Sequence, residues 1–236
     1  MNSVLGDVYK KLPSFLQNLA VSVEGWRIRR QRFCDDFPER FNEVRGRLCA
    51  DKEVLNDFRK ERLSEHLTVA SKSEYWRRRF HKHGVEPDRE DPFLELQKLP
   101  CLRKSEFKDH PSAILPEEFD TSELLDRHTS GTTGSGLQFW QTVGSRREQF
   151  AVWWRYRRWH GLTRDTWCGY FGGRRVVDVE QEQPPFWRYG LPGKRLFFSN
   201  YHIGPDTVED YLTTIQNRGL SWLHGYPSSI SLLAQL

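Results

Sequence analysis

Nine consecutive residues, His128-Thr129-Ser130-Gly131-Thr132-Thr133-Gly134-Ser135-Gly136, hold three glycines, two serines and three threonines and no large apolar side chain. Such a run cannot join a hydrophobic core, so the chain must turn at the surface there. Strand-like residues flank it: Leu124-Leu125 before, and Leu137-Gln138-Phe139-Trp140-Gln141-Thr142 after. Two readings are open. One is a polar hairpin loop. The other is a nest in which backbone N–H groups and hydroxyls meet phosphate oxygens.

The 236 residues suffice for one large domain or two small ones with a core that needs no disulfides. Hydrophobic residues are 37% and charged residues 29%, the composition of a folded globular chain. The net charge of +4 is mild and spread along the chain, so nucleic acid is not an expected partner. The four cysteines (Cys34, Cys49, Cys101, Cys168) form no CxxC pair, which argues against a zinc site or a disulfide framework. There is no signal-peptide pattern and no apolar stretch long enough for a membrane span, so the expected compartment is cytoplasmic. Six of nine tryptophans fall within 140–187, which predicts an aromatic core or a pocket wall after the glycine run.

Taken in order, Val4 to Leu19 has helical spacing broken by Pro13, which predicts a short helix or two half-helices. The basic run Trp26 to Arg32 reads as a solvated face. Val44 and Leu48, then Val54 to Leu67, then Tyr75, Trp76 and Phe80 predict further helices, the last capped by Ser71 or Ser73 and ended by Gly84. Residues 1–90 are thus expected to form a helical N-terminal lobe, and 91–236 an α/β portion carrying the glycine run. Ser145 is the expected cap of a helix running to Gly161, bulky enough to be mostly buried, with a base-stacking surface as the less favoured reading. Strands are expected at 166–171, 174–179, 195–199 and 220–225, and an irregular loop at 181–193. Helices are expected from Asp206 and from Pro227. Strand and helix in alternation predict an α/β fold with parallel strands and flanking helices.

The glycine run is not a Walker loop, because Leu137 stands where the lysine is required, and no GxGxxG fingerprint occurs. Thr129-Ser130-Gly131-Thr132-Thr133-Gly134 instead resembles the phosphate-binding motif of the adenylate-forming (acyl- and aryl-CoA ligase) superfamily. Pro185-Phe186-Trp187-Arg188, Leu196-Phe197-Phe198-Ser199-Asn200-Tyr201-His202 and His224-Gly225-Tyr226-Pro227-Ser228-Ser229 are similar to its phenylacetate–CoA ligase-like branch. That branch includes proteins associated with capsular polysaccharide and coenzyme F390 synthesis. The likeness covers roughly residues 70–236.

The resemblance implies the N-terminal part of an adenylate-forming large domain, acting with ATP, Mg2+ and a thiol such as coenzyme A on a small carboxylic acid. It implies that Thr129, Ser130, Gly131, Thr132, Thr133 and Gly134 bind the phosphates. Tyr201, His202, Gly225, Tyr226 and Pro227 would line the substrate pocket. No catalytic residue is assigned. This chain departs from the family pattern in having Ser135-Gly136-Leu137 where many members continue Pro-Lys. The aromatic-Gly-x-Thr-Glu motif with the Mg2+-binding glutamate, the ribose-binding aspartate and the lysine-bearing C-terminal domain are also missing. The resemblance therefore implies a need for the rest of the site, from a separately encoded C-terminal half or a homo-oligomer. The other reading is a non-catalytic partner or binding protein that keeps half the fold.

Overall fold

The computed structural model describes residues 3–34, 36–109, 111–129 and 136–236. The fold mixes helix and sheet, as expected of an α/β chain. It divides into two compact units, one of Met1–Asp35 with Tyr156–Leu236, the other of Asp36–Arg155. This division by packing cuts the chain elsewhere than the compositional boundary near residue 90.

In the Asp36–Arg155 unit, helices α3 (Phe37–Gly46), α4 (Lys52–Ser71) and α5 (Glu74–His83) precede the short helices α6 (Pro92–Gln97), α7 (Lys104–Asp109) and α8 (Pro111–Ile114). Ser73 caps α5 by accepting the Trp76 N–H at 3.2 Å, and Gly84 ends it at φ +61°. An L side chain pays a steric cost at that φ, so glycine fits the stop. Leu67, Phe80 and Val85 pack as one buried cluster with Leu63, Trp76 and Leu99 around it. A hairpin of β1 (Leu125–His128) and β2 (Gln138–Gln141) follows, and then α9 (Val143–Trp159). Thr142, not Ser145, caps α9: the Ser145 N–H donates to Thr142 Oγ1 at 3.1 Å. Gly161 at φ +71° closes it, with the Leu162 N–H reaching back to the Arg157 carbonyl.

The expectation that α9 is mostly buried needs correcting. Phe150, Ala151, Trp154 and Arg157 are buried, at spacings of a single helix face. Trp153, Tyr156 and Trp159 are exposed on the others.

The second unit holds a four-stranded sheet in the order β4-β5-β3-β6, made of β3 (Cys168–Phe171), β4 (Trp187–Gly190), β5 (Arg195–Phe198) and β6 (Trp222–Gly225). β5 and β6 both lie parallel to β3, and β4 runs antiparallel to β5. The strand expected at 174–179 is absent, although Val176 and Val177 are buried. The Val176 carbonyl accepts from the Tyr9 hydroxyl at 2.8 Å, so it is satisfied by a helix side chain and needs no neighbouring strand. Conversely, the 181–193 segment expected to be irregular contains β4. Helix α10 (Val208–Asn217) and helix α11 (Pro227–Gln235) put Tyr211 and Leu233 against Phe171, Leu196 and Phe198.

At β4 the sheet meets α2 (Ser14–Phe33), which follows α1 (Ser3–Lys10) across Pro13. Arg188 on β4 is 2% exposed and every hydrogen-bond acceptor of its guanidinium is neutral. It donates to Gln17 of α2, to the Pro185 and Trp187 carbonyls at 2.7 Å, and to Gln181 at 3.0 Å. Removing the side chain strands these oxygens in a dry interior. Arg188→Ala should lower unfolding free energy by about 2–4 kcal/mol in urea titration, and Arg188→Lys should recover less than half of that, because an ammonium cannot span the same acceptors.

Candidate functional site

The glycine run begins where β1 and β2 close on each other. Leu125 pairs with Gln141 and His128 with Gln138, so the hairpin is in register to its mouth. There the Thr129 N–H donates to the Leu137 carbonyl at 2.9 Å, and the Leu137 N–H donates to Thr129 Oγ1 at 2.8 Å. This double clasp ties Thr129 to Leu137 on either side of the run. It also uses Thr129 Oγ1 as an acceptor within the hairpin. Ser130, Gly131, Thr132, Thr133 and Gly134 lie outside the described residues. Beside the hairpin, Thr129, Leu137, Phe139 and Trp140 line a cavity of about 410 Å³ together with Phe107, Ile114 and Leu115. Among the described residues its lining is apolar apart from Thr129, which suits an apolar moiety.

The other expected site residues belong to the sheet unit. Parallel strands end on one side, and the register makes the ends level: Phe171 pairs with Gly225, and Tyr170 with Phe197. The segments leaving β3, β5 and β6 therefore meet along one edge, the edge at which open parallel sheets bind ligands. They bring together Gly172-Gly173, Ser199-Asn200-Tyr201-His202 and Gly225-Tyr226-Pro227.

Each is held by a local interaction. The Tyr226 N–H donates to the Phe171 carbonyl at 2.8 Å, continuing the ladder one residue past β6. Asn200 Nδ2 donates to the Gly172 carbonyl at 2.9 Å. Its Oδ1 is buried without a hydrogen-bond partner among the described residues. A Cβ at Gly225 would stand 1.9 Å from the Phe171 oxygen, and one at Gly173 would stand 2.7 Å from the Tyr226 hydroxyl. Pro227 opens α11 in its first turn, where its missing N–H costs nothing.

The two tyrosines and the histidine behave differently. Tyr201 and Tyr226 are 53% and 51% exposed, presenting rings to solvent at the strand ends. Tyr201 is steadied by Arg175, whose Nε donates to its hydroxyl at 3.3 Å and whose guanidinium lies over its ring. His202 turns inward: Nδ1 is 2.7 Å from Ser199 Oγ and the ring stacks on buried Phe186 at 4.8 Å. Burial pushes its pKa down from 6.5, partly opposed by the backbone at Gln181 and Val179. His202 therefore braces the turn after β5. His224 on β6 also has a lowered pKa, through burial first and then Arg157 and Arg195. Cys168 is buried and its thiol pushed up to about 12, which makes it inert as a nucleophile.

Sequence reasoning singled out Tyr201, His202, Gly225, Tyr226 and Pro227, which all lie along this edge, but not Asn200, Gly172, Gly173 or Arg175. A Gly-Gly pair immediately after a strand was the available signal for the first turn. Nothing local in the sequence marks Asn200 or Arg175, whose partners are 28 and 26 residues away. Among the described residues no group of three or more His, Cys, Asp or Glu could hold a metal ion.

No protein-family model matches this chain. It is 24% identical to Protein CapK of Staphylococcus aureus over 233 residues, 98% of this chain and 50% of that protein. The chain thus spans about half the length of the curated relative it matches.

Folded-state pKa values below 6.5 at His202 and His224 mean that the unfolded chain takes up protons first as pH falls. Their stabilising contribution is complete above pH 6.5 and declines as pH drops from there toward the folded-state values. Urea midpoints should fall between about pH 7 and pH 5.5, with a shallower fall in His202→Gln. NMR titration should place both ring midpoints below 6.5.

Proposed function

We propose that this chain is part of an adenylate-forming enzyme that activates a carboxylic acid with ATP and passes the acyl group to a thiol such as coenzyme A. In the first step a carboxylate oxygen attacks the α-phosphorus of ATP and pyrophosphate leaves. In the second a thiol sulfur attacks the acyl carbon and AMP leaves. The observation that carries the reading is the residue order of 129–134, set between two strands paired up to Thr129 and Leu137.

The chemistry of that run fits a polyphosphate. Residues 129–137 contain hydroxyls and amides but no carboxylate that would repel one. The Ser130, Thr132 and Thr133 hydroxyls with the Gly131 and Gly134 amides would hold the β- and γ-phosphates by positioned donors. Thr129, whose Oγ1 accepts within the hairpin, serves chiefly as the loop's clasp. The acid would lie at the strand-end edge, against Tyr201, Tyr226 and the Gly225 backbone. Among the described residues no group of three or more His, Cys, Asp or Glu could hold Mg2+.

The similarity to Protein CapK, of which this chain spans about half, supports a role related to capsule biosynthesis. β6 is an edge strand, paired only with β3 among the described residues, and an edge of that kind accepts further strands.

Joined to a segment corresponding to the half of Protein CapK that it does not match, the chain should catalyse acid-dependent exchange of pyrophosphate into ATP. Ser130→Ala and Thr132→Ala should each lower exchange about 10- to 100-fold with little effect on folding. A folded joined protein without exchange across a broad panel of acids overturns the proposal.

A further inference from the structure

Helix α2 carries an apolar stripe on the side facing away from its own unit. Phe15, Leu19, Val23 and Trp26 follow one another at intervals of four, four and three residues, a single helix face. They are 67%, 59%, 61% and 56% exposed. The inward side is fixed by hydrogen bonds: Gln17 to Arg188, Asn18 Oδ1 to the Tyr189 N–H at 2.9 Å, and Ser22 to the Tyr189 carbonyl at 3.2 Å. The helix therefore cannot roll to hide the stripe without breaking its seat on β4. Four large apolar side chains in a row, held outward, mark a surface that something covers.

The charge beside the stripe selects the occupant. α2 holds four arginines and one glutamate, and that glutamate, Glu24, is paired with Arg27 at 2.8 Å. Arg27 and Arg30 are exposed beside the stripe, and Arg30 lies over the Trp26 ring at 5.5 Å. Lys10 and Lys11, also exposed, stand just before the helix. A tryptophan at the border of an apolar face with arginines next to it is the pattern of a helix lying in a bilayer interface. There the rings and aliphatic stems enter the headgroup region and the cations meet lipid phosphate. No helix among the described residues is long and apolar enough to cross a membrane, so α2 would lie on it. α2 sits on β4, at the edge of the sheet opposite β6.

We propose that the Phe15-Leu19-Val23-Trp26 face of α2, with Arg27 and Arg30, is an interfacial binding surface for an anionic lipid bilayer. It is independent of the acid-activating reading. Flotation of the full chain with vesicles of phosphatidylcholine, with and without phosphatidylglycerol, tests it. Binding is expected only with the anionic lipid. Leu19→Ser combined with Val23→Ser should weaken it about tenfold or more while leaving the urea midpoint unchanged, since both positions are solvent-facing. Arg27→Gln with Arg30→Gln should weaken binding and reduce its dependence on salt. Failure to float with anionic vesicles, or binding that survives the double serine variant, overturns the proposal. So does a wild-type dimer in light scattering that the same variant converts to monomer, which would assign the face to a second copy.

Discussion

The sheet unit depends on where the Arg188 charge can go. Burying a guanidinium with no carboxylate hydrogen-bonded to it among the described residues is costly, and burial does lower its pKa, with the Tyr9 hydroxyl beside it acting in the other direction. An arginine nevertheless stays protonated in a protein, so its donors must be answered by oxygens brought to it. Those oxygens come from α2 through Gln17 and from the segment before β4 through Gln181 and Pro185. Gln17 spends its own amide donors on the Tyr9 and Leu12 carbonyls, at 3.1 and 2.9 Å, closing the break between α1 and α2. One charge thus ties two helices, a proline-bounded loop and a strand into one piece. The pieces come from chain positions 171 residues apart.

With that side of the sheet fixed, the level ends of β3, β5 and β6 follow from close backbone approach. Gly225 lies so near the Phe171 carbonyl that any side chain there would part the two strands. The same closeness lets the Tyr226 N–H reach Phe171 and turns the Tyr226 ring up over Gly173. Glycine at 225 therefore shapes the edge in two ways: it permits the pairing, and it sets the angle from which Tyr226 leaves the sheet. Asn200 does the equivalent work between β5 and β3, its amide tying the two turns together.

What could be read from the sequence was local. Ser73 and Gly84 bound α5, Gly161 stops α9 and Pro227 opens α11, because caps and stops depend on a few neighbouring residues. β3, β5 and β6 were also legible, being short apolar runs between turn signals. β4 was not. Its prolines on either side suggested a loop, and it is a strand only because β5 offers a partner and Arg188 an interior anchor. The reverse error at 174–179 has the same origin: two valines suggested a strand, but the Tyr9 hydroxyl satisfies the backbone there. The exposed faces of α9 and α2 were equally hidden, since apolar content does not say which face meets a neighbour. At the site, the order of residues 129–134 carried a resemblance that no spacing rule could supply. The inward turn of His202 depended on Phe186 and Ser199 standing beside it.

The two halves of the proposed chemistry rest on different kinds of order. The run proposed to hold phosphate is bounded by Thr129 and Leu137, which two hydrogen bonds clasp together at the mouth of a two-stranded hairpin. An acid pocket needs shape, and the residues proposed for it sit on the most interlocked part of the chain, above Phe171, Phe198 and Tyr211, rings stacked at 4.7 to 6.3 Å. Tyr211 anchors that stack by donating its hydroxyl to the Ser199 carbonyl at 2.8 Å, directly under the turn that carries Tyr201 and His202. A change in the buried stack would therefore move the pocket turn as a unit. Substrate preference in such an arrangement is adjustable at the exposed rings of Tyr201 and Tyr226, where packing imposes the least.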